Sequence, residues 1–240
     1  MDRRRQSAKR PSGHAKRFPH RRNLGFRDRV ILDLCRGKRV VHIGCTDWPY
    51  QEAQLASGAL LHLSLLSAAS ACVGVDLDEV GIENLRSHFP GELFMVGDIS
   101  SDQSLFDELV KFKPDVILVP DVLEHVENAR SFLLGIGKLL AQLDTAECIL
   151  STPNAFSLKT FLPVFAGFDF THSDHCLLHN EFTLEHVLAD SNLAIHELNY
   201  YQRDISNRYG SMLSRISAPL DLIARIMPRL SDGLIVRFGK

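Results

Sequence analysis

The sequence predicts an α/β fold in which a doubly wound, mostly parallel sheet carries helices on both faces. Short apolar runs alternate with segments of helical periodicity along most of the chain, as in consecutive βαβ units. Several runs are apolar throughout, which is typical of strands buried on both sides. The length of 240 residues, with 45% hydrophobic and 23% charged residues, fits one domain of this class.

Seven strands follow from the apolar runs. Right-handed crossovers between them fix how the sheet winds. The last strand, near the end of the sequence, is expected at an edge of the sheet. In chain order the predicted strands are Arg39–Ile43, Cys72–Val75, Leu93–Val96, Val116–Val119, Cys148–Ser151, Ile195–Tyr201 and Leu234–Phe238.

The predicted helices lie between these strands. Gly37 is a suitable C-cap, Pro114 stops a helix before the fourth strand, and Asn128 is a suitable N-cap. Residues 49–69 are expected to hold a loop and a helix. The other predicted helices are Phe26–Cys35, Glu79–His88, Ser104–Phe112, Asn128–Leu143 and Glu181–Ser191.

Beyond residue 154 the pattern is less regular. Residues 155–180 are rich in apolar and aromatic side chains, and residues 211–229 form an interrupted amphipathic segment. An amphipathic stripe packs on its own domain or lies on a membrane surface. We expect a single domain over residues 26–240, with 155–180 and 202–230 as lid or substrate-side additions.

The first 29 residues differ in charge from the rest. They hold eleven Lys or Arg against two Asp, a charge of +9, so the remaining chain carries −11. Residues 1–25 have little to bury and are predicted to be a basic disordered tail. Two interpretations stay open: a solvated leader, or contact of residues 3–29 with nucleic acid or an anionic surface.

Composition also predicts the compartment. No apolar run approaches the roughly 20 residues of a transmembrane helix, and the first residues lack the apolar core of a signal peptide. The five cysteines form no CxxC pair, which favours a reducing compartment over a disulfide framework. We therefore expect a cytoplasmic protein with no transmembrane segment; its oligomeric state has no signal in the sequence.

Two strand ends carry the main functional signal. The run Val40–Ile43 stops at Gly44, and the run Val73–Val75 stops at Asp76. A glycine without Cβ lets backbone approach a ligand closely. An acidic residue at the end of the next parallel strand accepts hydrogen bonds from ribose hydroxyls. Together they predict a nucleoside pocket at the carboxyl edge of the sheet.

The ordered set Gly44, Asp76, Asp98 and Leu123-Glu124-His125-Val126 resembles the class I S-adenosylmethionine-dependent methyltransferases, over roughly residues 26–200. It is most similar to the small-molecule branch with a Leu-Glu-His-Val signature. The resemblance implies a Rossmann-like, seven-stranded sheet with an antiparallel edge strand. It also implies a methyltransferase enzyme with S-adenosylmethionine as cofactor.

The resemblance further implies roles at matching positions. The loop at Gly44 and Cys45 should pass under the methionine portion, and Asp76, followed by Leu77, should bind the ribose. Asp78 and Asp98 also have a structural alternative as N-caps. The positions expected at the adenine and at the sulfonium are, respectively, Asp98 with the Ile99 backbone, and Pro120 with Asp121.

The sequence departs from the family in the first loop. Cys45 and Thr46 replace the further glycines, which argues against a dinucleotide whose pyrophosphate needs a complete G-x-G-x-x-G loop. Asp76 lies 32 residues after Gly44, against a usual crossover of about 20, so the loop after the first strand is enlarged. Its Trp48 and Tyr50 either cover the cofactor or anchor the loop.

Histidines are the candidate bases. Methyl transfer to a hydroxyl benefits from a general base, and histidine suits that role at neutral pH. His125 follows the fourth strand, and His175 lies with His172 and His179 in the insertion after the fifth. The structural alternative is that His125 packs at a helix start and that the insertion histidines are surface residues.

A metal site is an alternative for the same residues. Glu124, His125 and His175 offer ligands for a divalent cation, and Asp121 is a further candidate. The set, with Thr152-Pro153-Asn154, is similar to the metal cluster of small-RNA 2′-O-methyltransferases. The same Leu-Glu-His-Val also occurs in relatives without metal, so the first expectation is no metal.

Three functions remain in order of preference. The first is methyl transfer from S-adenosylmethionine to a small-molecule or glycan-like acceptor, on oxygen. The second is RNA 2′-O-methylation with a divalent metal, which the basic tail favours and the acidic remainder opposes. The third is a non-catalytic cofactor-binding or scaffold protein that keeps this fold.

Overall fold

The structure is a computed structural model that describes residues 19–169, 171–203 and 218–240. Its centre is one eight-stranded sheet. The strands are β1 Asn23–Phe26, β2 Arg39–Ile43, β3 Ala71–Asp76, β4 Leu93–Val96, β5 Val116–Pro120, β6 Glu147–Pro153, β7 Ala194–Gln202 and β8 Gly233–Gly239.

The strand order is β1-β7-β8-β6-β5-β2-β3-β4. All pairings are parallel except those of β8, which is antiparallel to both neighbours. The predicted α/β, doubly wound, mostly parallel fold is therefore confirmed, but the predicted edge position of the antiparallel strand is wrong. β8 lies between β6 and β7, and the described edges are β1 and β4. The continuous burial of β8 on both faces agrees with its interior position.

The eighth strand, β1, was not predicted. It pairs parallel with β7, with Asn23 opposite Tyr200, and places four residues of the expected tail in the sheet or directly beside it. The predicted tail boundary at residue 25 is therefore too late. Residues 1–18, with most of the basic run, lie outside the described residues.

Eight helices of the described chain are named as follows. They are α1 Arg27–Cys35, α2 Gln51–Ser57, α3 Leu61–Ala68, α4 Glu79–His88, α5 Gln103–Phe112, α6 Ala129–Ala141, α7 Leu158–Val164 and α8 Glu181–Asp190. Asn128 caps α6 as predicted, because its side chain accepts the Ser131 amide at 3.0 Å. The expected loop and helix at 49–69 are two helices, α2 and α3.

Helices cover both faces of the sheet. On one face α5, α6 and α8 pack their apolar side chains onto alternate residues of β2, β3, β5 and β6, including Val41, Val73 and Ile117. On the other face α1 and α3 pack on Val40 and Leu118, and α2 and α4 surround Cys45 and Phe94. The two-sided burial explains why the central strands are apolar throughout.

The two predicted additions have some regular structure. Residues 155–180 contain α7, and residues 218–226 are helical, followed by the 3₁₀ turn Pro228–Leu230. The first half of the predicted amphipathic segment, residues 211–217, lies outside the described residues. Among the helices of the described chain, none combines the length and apolar character needed to cross a bilayer.

Candidate functional site

The candidate site lies along the carboxyl edge of the parallel strands. The tip of β2 leads into Gly44, whose φ of +81° is left-handed and unfavourable for other residues. A Cβ at position 44 would come 2.5 Å from Val122 Cγ2. The glycine thus lets the tips of β2 and β5 approach each other. Its contact with the methionine portion of a cofactor stays a prediction.

Asp76, at the end of β3, is bound to the loop after β2. Its Oδ2 accepts the backbone N–H of Thr46 at 2.9 Å and the Thr46 hydroxyl at 2.8 Å. Its Oδ1 accepts the Asp78 N–H at 3.1 Å. Threonine in place of glycine at position 46 therefore has a structural use, because its hydroxyl fixes the loop to Asp76, the residue predicted to bind the ribose. Cys45 beside it is buried under the sheet edge.

The residues predicted at the adenine follow β3 and β4. Leu77 is 71% exposed and offers an apolar side chain next to Asp76, whereas Ile99 is buried. Asp98 closes a turn by accepting the Ser100 amide at 2.8 Å and the hydroxyls of Ser100 and Ser101. Burial opposes its ionisation, but these donors outweigh it and lower the pKa of Asp98.

The N-cap alternatives divide between two aspartates. Asp78 caps α4 by accepting the Gly81 amide at 3.0 Å. Asp102, and not Asp98, caps α5. The structure therefore leaves Asp98 at the end of the β4 loop, with its carboxylate held by serines.

Asp121, directly after Pro120 at the tip of β5, is the centre of an ion-pair network. Its carboxylate accepts from Arg27 and Arg203, and at 2.9 Å from the hydroxyls of Ser151 and Tyr201. Burial opposes ionisation, but Arg203 and Arg27 outweigh it and hold the pKa of Asp121 well below its usual range. With four donors, this carboxylate links the tip of β5 to the start of α1, to β6 and to the end of β7, and it has little capacity left for a metal.

Glu124 is the opposite case. It lies in the 3₁₀ turn Leu123–His125 and is fully buried. Its Oε2 accepts the Thr152 hydroxyl at 3.2 Å, whereas Oε1 has no hydrogen-bond partner among the described residues. Burial, with the nearby Asp121 charge, raises the pKa of Glu124 to about 8. A buried carboxylate oxygen without a hydrogen-bond partner destabilises the fold unless a ligand binds to it.

Histidines complete this part of the site. The Glu124 carbonyl accepts the Cys176 amide at 2.8 Å, which holds the segment after β6 against the 3₁₀ turn. One ligand atom each of Glu124, His125 and His175 then lies within 4.8 Å of the others. Burial, followed by the nearby His125 and His172, lowers the pKa of His175 to about 4.

His172 joins the same cluster and connects it to the loop after β2. Its ring lies 5.6 Å from that of His175 and 6.3 Å from that of His125, centroid to centroid. Its Nε2 is 2.8 Å from the Tyr50 hydroxyl. Tyr50 thus ties the enlarged loop after β2 to the histidine segment, while Trp48 is largely exposed. His179 is buried on its own and lies outside the cluster.

The residues can be tested against the cofactor that the fold implies and against the metal considered from the sequence. Asp76 Oδ1 keeps acceptor capacity for a ribose hydroxyl beside the exposed Leu77. One carboxylate and two imidazoles are a suitable donor set for a divalent transition metal. The structure brings together Glu124, His125 and His175, the residues of the alternative metal site. The further candidate, Asp121, is bound by two arginines.

Several functional contacts could not be predicted. Each of these contacts joins residues that are far apart in sequence. They are the bond from the Thr46 hydroxyl to Asp76, the ion pairs of Arg27 and Arg203 with Asp121, and the contact of His172 with Tyr50. The departure from glycine at Thr46 was the one available signal, since a hydroxyl near a strand-end aspartate is a natural partner. The two arginines directly follow β1 and β7, and local sequence patterns do not show which strands lie beside these two.

Solved structures with the same architecture identify the fold. Magnesium protoporphyrin IX methyltransferase from Synechocystis, with bound S-adenosylhomocysteine, is similar over 89% of this chain and 81% of its own, with a TM-score of 0.53 and 17% identity. The YcgJ protein of Bacillus subtilis is similar over 89% and 97%, with a TM-score of 0.53 and 15% identity.

A third similar structure is the small RNA methyltransferase HEN1, at a TM-score of 0.55 and 18% identity, over 89% of this chain and 24% of that protein. By sequence, no family model and no curated protein matches the chain. These likenesses establish the fold of class I S-adenosylmethionine-dependent methyltransferases. At this identity they transfer no acceptor.

Proposed function

We propose that this chain is a methyltransferase that transfers the methyl group of S-adenosylmethionine to an oxygen of a small-molecule or glycan-like acceptor. We further propose that Glu124, His125 and His175 hold a divalent metal ion at the acceptor position. The observation that carries the proposal is the buried, vacant Oε1 of Glu124 beside two imidazoles, at the same sheet edge as Asp76.

The cofactor supplies the reactive methyl group when bound, and the metal would lower the pKa of an acceptor hydroxyl. The chain supplies position. Asp76 holds the ribose hydroxyls, and the bond from Thr46 fixes the orientation of its carboxylate. Holding donor and acceptor in line and out of water accounts for most of the catalysis that such a protein provides.

The metal proposal replaces the simplest role of His125. A histidine that donates an electron pair to a metal is not free to act as base, so the two roles predict different sensitivity to chelation. Activity that needs a divalent ion and is lost with a strong chelator supports the ligand role. Activity that survives the chelator supports His125 or His175 as a general base.

The direct test is calorimetry on the full chain. Titration with S-adenosylhomocysteine should give saturable binding, and titration with Mn²⁺ should give one site. Glu124→Gln should remove Mn²⁺ binding and leave S-adenosylhomocysteine binding intact. Glu127→Gln, a change at an exposed neighbour, is the matched control.

The outcomes separate the candidate functions. Absence of S-adenosylhomocysteine binding would contradict the proposal and favour a scaffold. Binding of both ligands without turnover on any acceptor would favour a non-catalytic cofactor-binding protein.

RNA 2′-O-methylation is the second candidate. It is favoured by the carboxylate-imidazole set together with the likeness to a small RNA methyltransferase. A labelled methyl donor offered with short RNA, and in parallel with a panel of phenols and sugars, distinguishes the two acceptor classes. Label on the RNA alone would replace the small-molecule proposal.

A further inference from the structure

Helix α7 and the turn after it expose a group of apolar side chains. No residue of α7 is buried, and the chain from Phe161 to Phe168 presents apolar side chains outward. Phe165 is 79% exposed and packs edge-on against the half-exposed Phe161, with ring centroids 5.4 Å apart. A group of exposed aromatic side chains commonly marks a surface that contacts a protein partner or a membrane.

The helical residues 218–226 have a similar arrangement. Ala224 is the side chain that this helix buries, at 2% exposure, while Leu222 and Ile226 are 60% and 75% exposed. A helix that packed only on its own domain would turn its large apolar residues inward. This helix instead buries Ala224 and exposes Leu222, Ile223 and Ile226.

The two elements are adjacent, since Lys159 of α7 forms ion pairs with Asp221 at 2.8 Å and with Asp232 at 2.7 Å. Lys159 therefore offsets one of the two negative charges beside the apolar surface. The exposed charge at its border is mainly cationic and comes from Arg225 and Arg229, with Asp169 as an exposed carboxylate near the end of the turn.

The exposed charge beside the apolar side chains selects one occupant. Exposed arginine beside aromatic and aliphatic side chains is typical of segments at an anionic lipid surface, where the cation meets headgroup phosphate. A second copy of the chain would bring Arg225 against the same positive border.

We propose that Phe161–Phe168 and Leu222–Met227 together form a docking surface for an anionic lipid bilayer; we call it the apolar docking surface. The proposal goes beyond the proposed function, which does not require a membrane. The surface is continuous along the chain with the His172–His175 segment, so docking would bring the acceptor side of the site to the lipid.

Co-sedimentation of the full chain with vesicles tests this. One preparation contains phosphatidylcholine alone, and the other contains about one third phosphatidylglycerol. We expect binding to the anionic vesicles, reduced at least about 10-fold by the double variant Phe161→Ser and Phe165→Ser. Arg225→Gln should reduce it roughly 5-fold, in line with about 1 kcal/mol for a cation near the surface.

The matched control is Val80→Ser, which removes an exposed apolar side chain on α4, at 81% exposure, outside this surface. It should bind like the unmodified chain.

Because the basic residues 1–22 are present in every variant, unchanged binding of the phenylalanine variant would assign lipid binding to them and overturn the proposal. Absence of binding to anionic vesicles would overturn it too, as would a dimer, measured by light scattering, that the phenylalanine variant dissociates. S-adenosylhomocysteine binding stays a separate readout.

Discussion

Two regions of the sheet edge differ in how their polar groups are bound: the proposed donor side, at Asp76 and Asp98, and the proposed acceptor side, at Glu124, His125 and His175. At the donor side, Asp76 and Asp98 are held by amides and hydroxyls of their own loops. At the acceptor side, Glu124 Oε1 and His175 Nδ1 are buried without a hydrogen-bond partner among the described residues. The carboxylates of the first region are held by hydrogen bonds within the protein. In the second region, a carboxylate oxygen and an imidazole nitrogen are unpaired among the described residues. The contrast predicts that ligands matter more to the structure of the acceptor side.

The largest expected effect is on turnover. Replacing His125 or His175 with alanine should lower kcat/KM by about 100-fold to 10,000-fold, because each removes a ligand or a base at the acceptor. S-adenosylhomocysteine affinity should stay within about 2-fold, since the described hydrogen bonds of Asp76 involve neither histidine. Steady-state kinetics and calorimetry on the same preparations check this. A parallel loss of donor affinity would erase the distinction between the two sides.

The stability of the donor side should depend on pH. His42 and His62 lie buried beneath it, with their Nδ1 atoms 3.0 Å apart. Burial lowers the pKa of His62 to about 4, so the unfolded chain binds the proton more readily than the folded one. Stability is therefore retained above pH 6.5 and is lost as the pH falls from 6.5 towards 4, by about 3 kcal/mol for this group.

Urea unfolding at several pH values between 7 and 4 measures this effect. His62→Leu should flatten the pH dependence, whereas His196→Gln, at an exposed histidine, should leave it unchanged. The same slope in both variants would mean that other groups cause the acid sensitivity.

A smaller effect is expected at Asp76. Asp76→Ala should weaken S-adenosylhomocysteine binding by about 10-fold to 100-fold, because hydrogen bonds to a charged group contribute about 1.5–3 kcal/mol. Thr46→Val removes only the hydroxyl that fixes Asp76, and it should cost less. Mn²⁺ binding should be unaffected by both changes. Intact donor affinity in Asp76→Ala would refute the nucleoside pocket itself.

The smallest effect concerns the link between the two sides. Tyr50→Phe removes the hydroxyl 2.8 Å from His172 Nε2. Losing one hydrogen bond of about 1 kcal/mol should raise the acceptor KM roughly 5-fold and leave kcat nearly unchanged. The change should also make Mn²⁺ binding less dependent on whether S-adenosylhomocysteine is present. Equal binding with and without the donor in the unmodified chain would show that the sides are independent.

Local patterns predicted the elements that depend on local chemistry. β2, β4 and α4 begin and end where their apolar runs do, and Asn128 caps α6, since a cap needs only residues three positions apart. β1 was missed because it has four residues, one of them Gly25, and its partner β7 is nearly 180 positions away. The interior place of β8 was missed because strand order is set by packing between distant segments.

The candidate site divides in the same way. Gly44 and Asp76 could be placed at one sheet edge because parallel strands end together. The grouping of Glu124 with His175 came from family resemblance and needed the structure to test its geometry. The ion pairs of Asp121 with Arg27 and Arg203 could not be foreseen, because one guanidinium group comes from the start of α1 and the other from the residue after β7.

The interior place of β8 also bears on how the chain assembles. In the described sheet, β1 and β7 reach the other strands through β8 alone. While the protein is being synthesised, β2 to β6 can pair as they emerge, but β1, made before them, has no neighbour until β7 and β8 exist. During that interval β6 presents an open, apolar strand edge, which is a template for wrong pairing. Chaperone protection would therefore be most valuable at β6.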